Sequence, residues 1–379
     1  MNNYLFNSLK TTFIGAILAT SCLISCKPEE KTPQPSLTIP STYDTTNFSL
    51  NTINEKTIKI NFSDLVAEAK RGRIITNIVT ESVLKAKYDN TSTYKIESLT
   101  NTNYKTIVTN SITELANSSG NNYIPSDTIP ATGGVYGGYL FNKYGLEPEQ
   151  LIDKGLFQAL LYNQVLLIMS QPLTEASIDK ILVLWGGTTQ FANQDVTTKT
   201  TFPDVNVAKY SARRDKNEPS KPGYYLQIKN NLIKAKAAIK AGSQFNNDRD
   251  VALNEIKLLW EKSIASTVIN YCKTSATTLS KTTKTANDYG SAMHALSENI
   301  GFLAGFKGIA DKKITDAQIE TILTLFYAPS AGPTQFYKYK TSTFDALTNL
   351  ATIQSNLKAI YGFSDTEMSD FGNSYTTTR

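Results

Sequence analysis

The chain has 379 residues, 40% hydrophobic and 19% charged, with 38 Lys and Arg against 33 Asp and Glu for a net charge of +5. This is globular composition, and it excludes a disordered or collagen-like chain. One His and three Cys exclude a Cys-rich zinc module, a His-cluster metal site and a disulfide-stapled miniature fold.

At the N-terminus, Lys10 supplies a weakly basic start and Thr11 to Ile24 form an apolar run too short to span a bilayer. The Leu23-Ile24-Ser25-Cys26 that follows resembles the bacterial lipobox. Residues 1–25 are therefore expected to be a lipoprotein signal. The lipobox rule implies that Cys26 becomes the first mature residue, with acyl chains on its sulfur and its amino group. Several acyl chains anchor stably where one is marginal. An ordinary signal peptide with a coincidental Cys is the alternative. The expected location is the outer membrane, lipid-anchored, on either its periplasmic or its surface face. Lys27-Pro28-Glu29-Glu30 resembles the short charged export tags of Bacteroidetes surface lipoproteins. Residues 26–50, with Pro28, Pro33, Pro35 and Pro40, read as an extended Pro/Thr-rich tether.

Residues 51–365 are expected to be one all-α domain, or two packed helix bundles, followed by a flexible tail at 366–379. Thr57 to Asn61 (TIKIN) is the one plausible strand. Ser63 can cap a helix towards Tyr88, with Gly72 as a possible break, and 104–117 is a shorter helix. Gly133, Gly134, Gly137 and Gly138 lack the Lys-Ser/Thr of a phosphate loop and read as a flexible connection. Residues 146–170 are the most apolar helical stretch, with Pro148 suited to a first turn, and should be central. A helix at 174–185 with Thr174 as N-cap precedes a long excursion at 186–223, the kind of loop that serves as a lid or insertion. Helices resume at 224–241, 248–274, 286–306, 315–327 and 342–361. Thr315-x-x-Gln318 matches a capping box and Ser342-x-x-Asp345 resembles one.

Chemistry must begin at His294, the one imidazole. Glu298 follows four residues later, on the same helical face. The pair can share a metal ion or simply hydrogen-bond inside a bundle. With no second His, the remaining ligands would be oxygen donors, which favours iron or another hard divalent cation. Glu147, Gln150 and Lys154 share a face in an otherwise apolar helix, as a solvated edge or as the lining of a polar pocket. These five are the candidate metal- or ligand-binding residues, with His294 and Glu298 as metal ligands. Trp185, before Gly186-Gly187, can stack a ligand if exposed, whereas Trp260 reads as core. Cys272 reads as a small buried hydrophobe. No HExxH or GxSxG motif is present, and no basic block suggests nucleic acid.

Four stretches carry a family resemblance: IPSTYDTTNF at 39–48, GLEPEQLIDKGLFQALLYNQ at 145–164, LLWEKSIASTVINY at 258–271 and HALSENIGFLAGF at 294–306. In order and spacing they resemble the Bacteroidetes lipoproteins grouped as domain of unknown function 4856. The resemblance implies a secreted helical lipoprotein working near a TonB-dependent receptor and near imelysin-like proteins, in iron, haem or other metal uptake. The family is distantly imelysin-like; imelysins carry His-x-x-Glu, one residue shorter than His294-x-x-x-Glu298. Three functions follow as expectations: a non-catalytic metal- or haem-binding component, a surface or glycan-binding partner of the receptor, and an imelysin-like metallopeptidase.

Overall fold

The computed structural model describes residues 35–89, 93–126, 129–194, 201 and 203–375. The expected signal at 1–25, Cys26 and the tether as far as residue 34 lie outside the described residues. From Leu37 onward the chain is one compact unit, almost entirely helical, whose buried apolar residues form a single cluster from Tyr43 to Phe371. The all-α expectation holds, in its one-domain form. Among the described residues no helix is long and apolar enough to cross a membrane.

Helices α1 (Phe48–Asn51) and α2 (Ile53–Arg71) come first. The stretch expected as a strand, 57–61, is the middle of α2. Ile58, Phe62, Leu65, Val66 and Ala69 are buried at helical spacing, and that stripe outweighs the local preference of β-branched residues. A break at Gly72 leads to α3 (Glu81–Tyr88), α4 (Ile96–Leu99) and α5 (Thr102–Ser118). The glycine-rich connection is not loose. It forms an antiparallel hairpin, β1 (Gly134–Tyr136) with β2 (Tyr139–Phe141). Gly137 and Gly138 turn it at φ of 55° and 86°, the left-handed values that a two-residue hairpin demands.

The apolar stretch at 146–170 becomes α6 (Pro148–Leu156), a wide π turn at Phe157–Tyr162, and α7 (Asn163–Met169). Every residue of α6 is buried. Helix α8 (Glu175–Trp185) starts where Thr174 predicts. Trp185 is fully buried against Tyr225, so the expected stacking platform is core. The expected structureless excursion contains α9 (Asn206–Arg213). Then follow α10 (Tyr224–Ala241), α11 (Asn246–Leu279), α12 (Ala286–Ala304), α13 (Asp316–Leu325), α14 (Lys338–Thr341), α15 (Thr343–Tyr361) and α16 (Asp365–Asp370). The Thr315/Gln318 capping box forms, whereas Ser342 makes no side-chain cap. Long α11 is the central post, packed by α9, α10, α12 and α15.

Both ends of the domain extend further than expected. Tyr43, placed in the tether, is buried and donates to Asp179 Oδ1 at 2.6 Å. Lys236 donates to the same oxygen at 2.6 Å, and Asn51 to Oδ2 at 2.7 Å. At the other end Phe371 is buried, and its carbonyl accepts from Asn270 at 2.7 Å. The expected flexible tail at 366–379 is therefore structured through its described residues, which end at Tyr375.

One packing feature positions everything that follows. Ser297 and Gly301 on α12 and Gly305 at its C-terminal cap lie four residues apart and face α6. A Cβ on Gly301 would overlap the Gln150 carbonyl oxygen, and one on Gly305 that of Gly155. The absence of side chains lets the two helices approach almost backbone to backbone. Ser297 Oγ accepts from the Glu147 amide at 3.0 Å, tying the start of α6 to the same face.

Candidate functional site

The close α6–α12 contact gathers the charged side of α6 against α2 and α12. Glu147 sits at the N-cap of α6 and is fully buried. Its Oε1 accepts from Arg73 at 2.8 Å, and its Oε2 meets His294 Nδ1 at 2.5 Å. His294 stacks on Tyr139 of β2, with ring centroids 4.3 Å apart and planes at 16°. The Arg73 guanidinium lies 5.2 Å from the centroid of the same ring. Deeper in, Lys154 joins Asp153 at 2.7 Å and Glu298 at 3.1 Å. Glu298 also receives Tyr210 Oη at 3.5 Å and lies 3.9 Å from His294 Nε2. Glu149 takes Arg73 Nη2 at 2.7 Å, and Lys70 Nζ is 3.0 Å from Asp153. Gln150 donates to Glu149.

The structure thus joins all five sequence candidates in one buried network. Glu147, Lys154, His294 and Glu298 form its chain of contacts, and Gln150 joins through Glu149. His294 has Glu147 as its hydrogen-bond partner, not the expected Glu298. Sequence reading missed Lys70, Arg73, Tyr139, Glu149, Asp153 and Tyr210. Glu149 and Asp153 were legible as an i,i+4 acidic pair on an apolar helix. The others come from separate elements, and no local pattern marks them.

Charge explains the arrangement. Four carboxylates (Glu147, Glu149, Asp153 and Glu298) meet three cations (Lys70, Arg73 and Lys154), with His294 at the partly exposed edge. Burial alone would lower the Lys154 ammonium; Asp153, Tyr210 and Glu298 instead hold it well above the ordinary lysine value. Burial alone would raise Asp153 and Glu298; Lys154 is the strongest of the charges that hold both below their usual range. Glu149 moves the other way. Burial, with repulsion from Asp153, pushes it up to about 7, and its Oε1 has no hydrogen-bond partner.

The sign of the resulting pH dependence follows. Between the unfolded value near 4.5 and about 7, folded Glu149 binds more proton than unfolded Glu149. Its contribution to stability is intact below that window and is lost as pH rises through it. Glu149→Gln removes the titration and keeps an acceptor for Arg73. Thermal melts are expected to show the variant matching the parent at pH 5 and exceeding it at pH 8. Parallel curves across that range would contradict the assignment.

The expected metal ligands do not fit a metal centre. Among the described residues, no group of three or more His, Cys, Asp and Glu side chains is placed to hold an ion. Glu298 is neutralised by Lys154, whose ammonium would repel a cation at that carboxylate. The imelysin-like peptidase expectation meets the same obstacle. Cys272 is buried, and burial raises its thiol well above the ordinary value, as expected for an inert core cysteine.

No family model, no curated protein and no solved structure matches this chain.

Proposed function

We propose that the protein is a lipid-anchored component of the bacterial outer membrane, one that binds its ligand without transforming it and works beside a TonB-dependent receptor in uptake. The anchor rests on the lipobox-like Leu23 to Cys26 and the short apolar run before it. The uptake role rests on the resemblance to the lipoprotein family of unknown function 4856. The observation that carries the non-catalytic part is the pairing of the carboxylates around His294 with cations inside the protein, Glu147 with Arg73 and Glu298 with Lys154. A general acid or base, or a metal ligand, needs a free position on that group. Metal cargo would then arrive as haem or as a chelate, recognised by its organic body, because the bare ion finds no donor set among the described residues.

Two measurements test this. Cells fed labelled palmitate should label the protein, and Cys26→Ser should abolish the label. The purified protein, incubated with ferrous or zinc ion and desalted, should retain well under one ion per chain, unchanged by His294→Ala. Stoichiometric metal that disappears in His294→Ala would overturn the reading.

A further inference from the structure

A cavity lies apart from the His294 network, between α2 and the chain that follows α8. Its volume is about 710 Å³, within the range of small-molecule sites. Phe48, Ile60 and Val183 give it apolar lining, and Lys56 and Lys59, three residues apart on α2, both line it. Lys56 lies over the Phe48 ring at 5.3 Å. Among the described residues Asp64 is the one acidic residue in the lining, against two lysines.

Lys59 is the unusual member. It is half-buried, yet no described residue hydrogen-bonds to it or pairs with it, and burial lowers it to about 8. Asp204 attracts it from a distance, but accepts from Tyr225 Oη at 2.7 Å and from the Gln194 amide at 2.8 Å. Thr188, which also lines the cavity, has a buried hydroxyl with no hydrogen-bond partner. A buried hydroxyl without a partner is costly in a folded protein unless a ligand completes it, and the half-buried Lys59 ammonium offers an unpaired positive charge to the same cavity.

We propose that this cavity binds a small organic carboxylate with an apolar body, its charge held by Lys59 and its hydrocarbon by Phe48, Ile60 and Val183. A carboxylate accepts from both an ammonium and a hydroxyl, and charge-assisted bonds of this kind are the strong ones. A neutral apolar molecule would leave both donors unmet, and a metal cation would be repelled. The inference depends neither on lipidation nor on a receptor, so its failure would leave the preceding section intact.

Octanoate is the probe, with octanol as its uncharged counterpart. Isothermal titration of the full chain should show saturable binding of octanoate at one site. Lys59→Met should weaken it at least about tenfold, about 1.4 kcal/mol, and Lys59→Arg should retain it. Octanol should bind Lys59→Met and the parent equally. If Lys59→Met does not fold, Ile60→Trp at an exposed wall position decides the question: it should fill the cavity and abolish octanoate binding with the circular dichroism spectrum unchanged. No saturable octanoate binding, equal affinity in Lys59→Met, or undiminished affinity in Ile60→Trp would each overturn the proposal.

Discussion

Lys154→Met should lower the unfolding free energy by about 3–5 kcal/mol, measured as a fall in the urea midpoint at unchanged slope. Methionine keeps the length and apolar stem of lysine, so little packing is lost. What changes is charge. Asp153 and Glu298 are both buried, and Lys154 is the cation nearest to each, at 2.7 and 3.1 Å. Asp153 keeps Lys70 at 3.0 Å, but Glu298 keeps the hydroxyls of Tyr210 and Tyr271 and the more distant His294, with no second lysine or arginine bridge among the described residues. The penalty should therefore concentrate on Glu298. Adding Glu298→Gln to Lys154→Met should recover part of the loss, and the double-mutant cycle measures that coupling. A loss below about 1 kcal/mol would mean that water reaches the pair and screens it as at a surface.

The second large effect tests packing against intrinsic preference. Gly301 is within helix α12, where alanine is favoured over glycine by about 1 kcal/mol. Propensity alone therefore makes Gly301→Ala stabilising. The new methyl group, however, would overlap the Gln150 carbonyl oxygen and lie 3.0 Å from Lys154 Cβ. Backbone cannot rotate away as a side chain does, so α6 must move outward. Overpacking of this kind costs about 1–3 kcal/mol, occasionally more. We expect a net loss of about 2 kcal/mol, with looser Lys154–Glu298 and His294–Glu147 contacts. A rise in the thermal midpoint would show that α6 yields freely. The stripe Ser297, Gly301, Gly305 would then not set the helix separation.

Much of the fold was legible in the sequence, for a stated reason. Where the apolar period is long and the ends carry caps, as at Thr174 and Thr315, local signals and tertiary packing agree. The strand expected at Thr57 to Asn61 failed because five residues are too few to show the period of the whole of α2. The hairpin at Gly134 to Phe141 was hidden because glycine reports freedom of the backbone, not the turn that freedom permits. The site divides in the same way. Glu147, Gln150 and Lys154 were visible as polar residues in an apolar helix. Lys70, Arg73 and Tyr139 reach the same cluster from elements far along the chain. His294 appeared to belong with Glu298 because helical spacing is local. Its closer partner, Glu147, is 147 residues away and is brought near by a glycine face.

The wide turn at Phe157–Tyr162 bears on how this gene can change length. Upstream of it α6 carries the ionic residues; downstream, Val165 is buried and Gln164 holds the Leu99 carbonyl at 2.9 Å. Loss of one codon there would let the helix close to the ordinary pitch with its hydrogen bonds repaired. Because the wide turn holds about one residue more than an ordinary turn, everything beyond would keep nearly the same facing relative to α6. The same in-frame deletion within regular α6 or α7 would swing the chain beyond it by about 100° and uncouple the two halves of one helix, so this short bulge is a place between them where length can change without loss of phase.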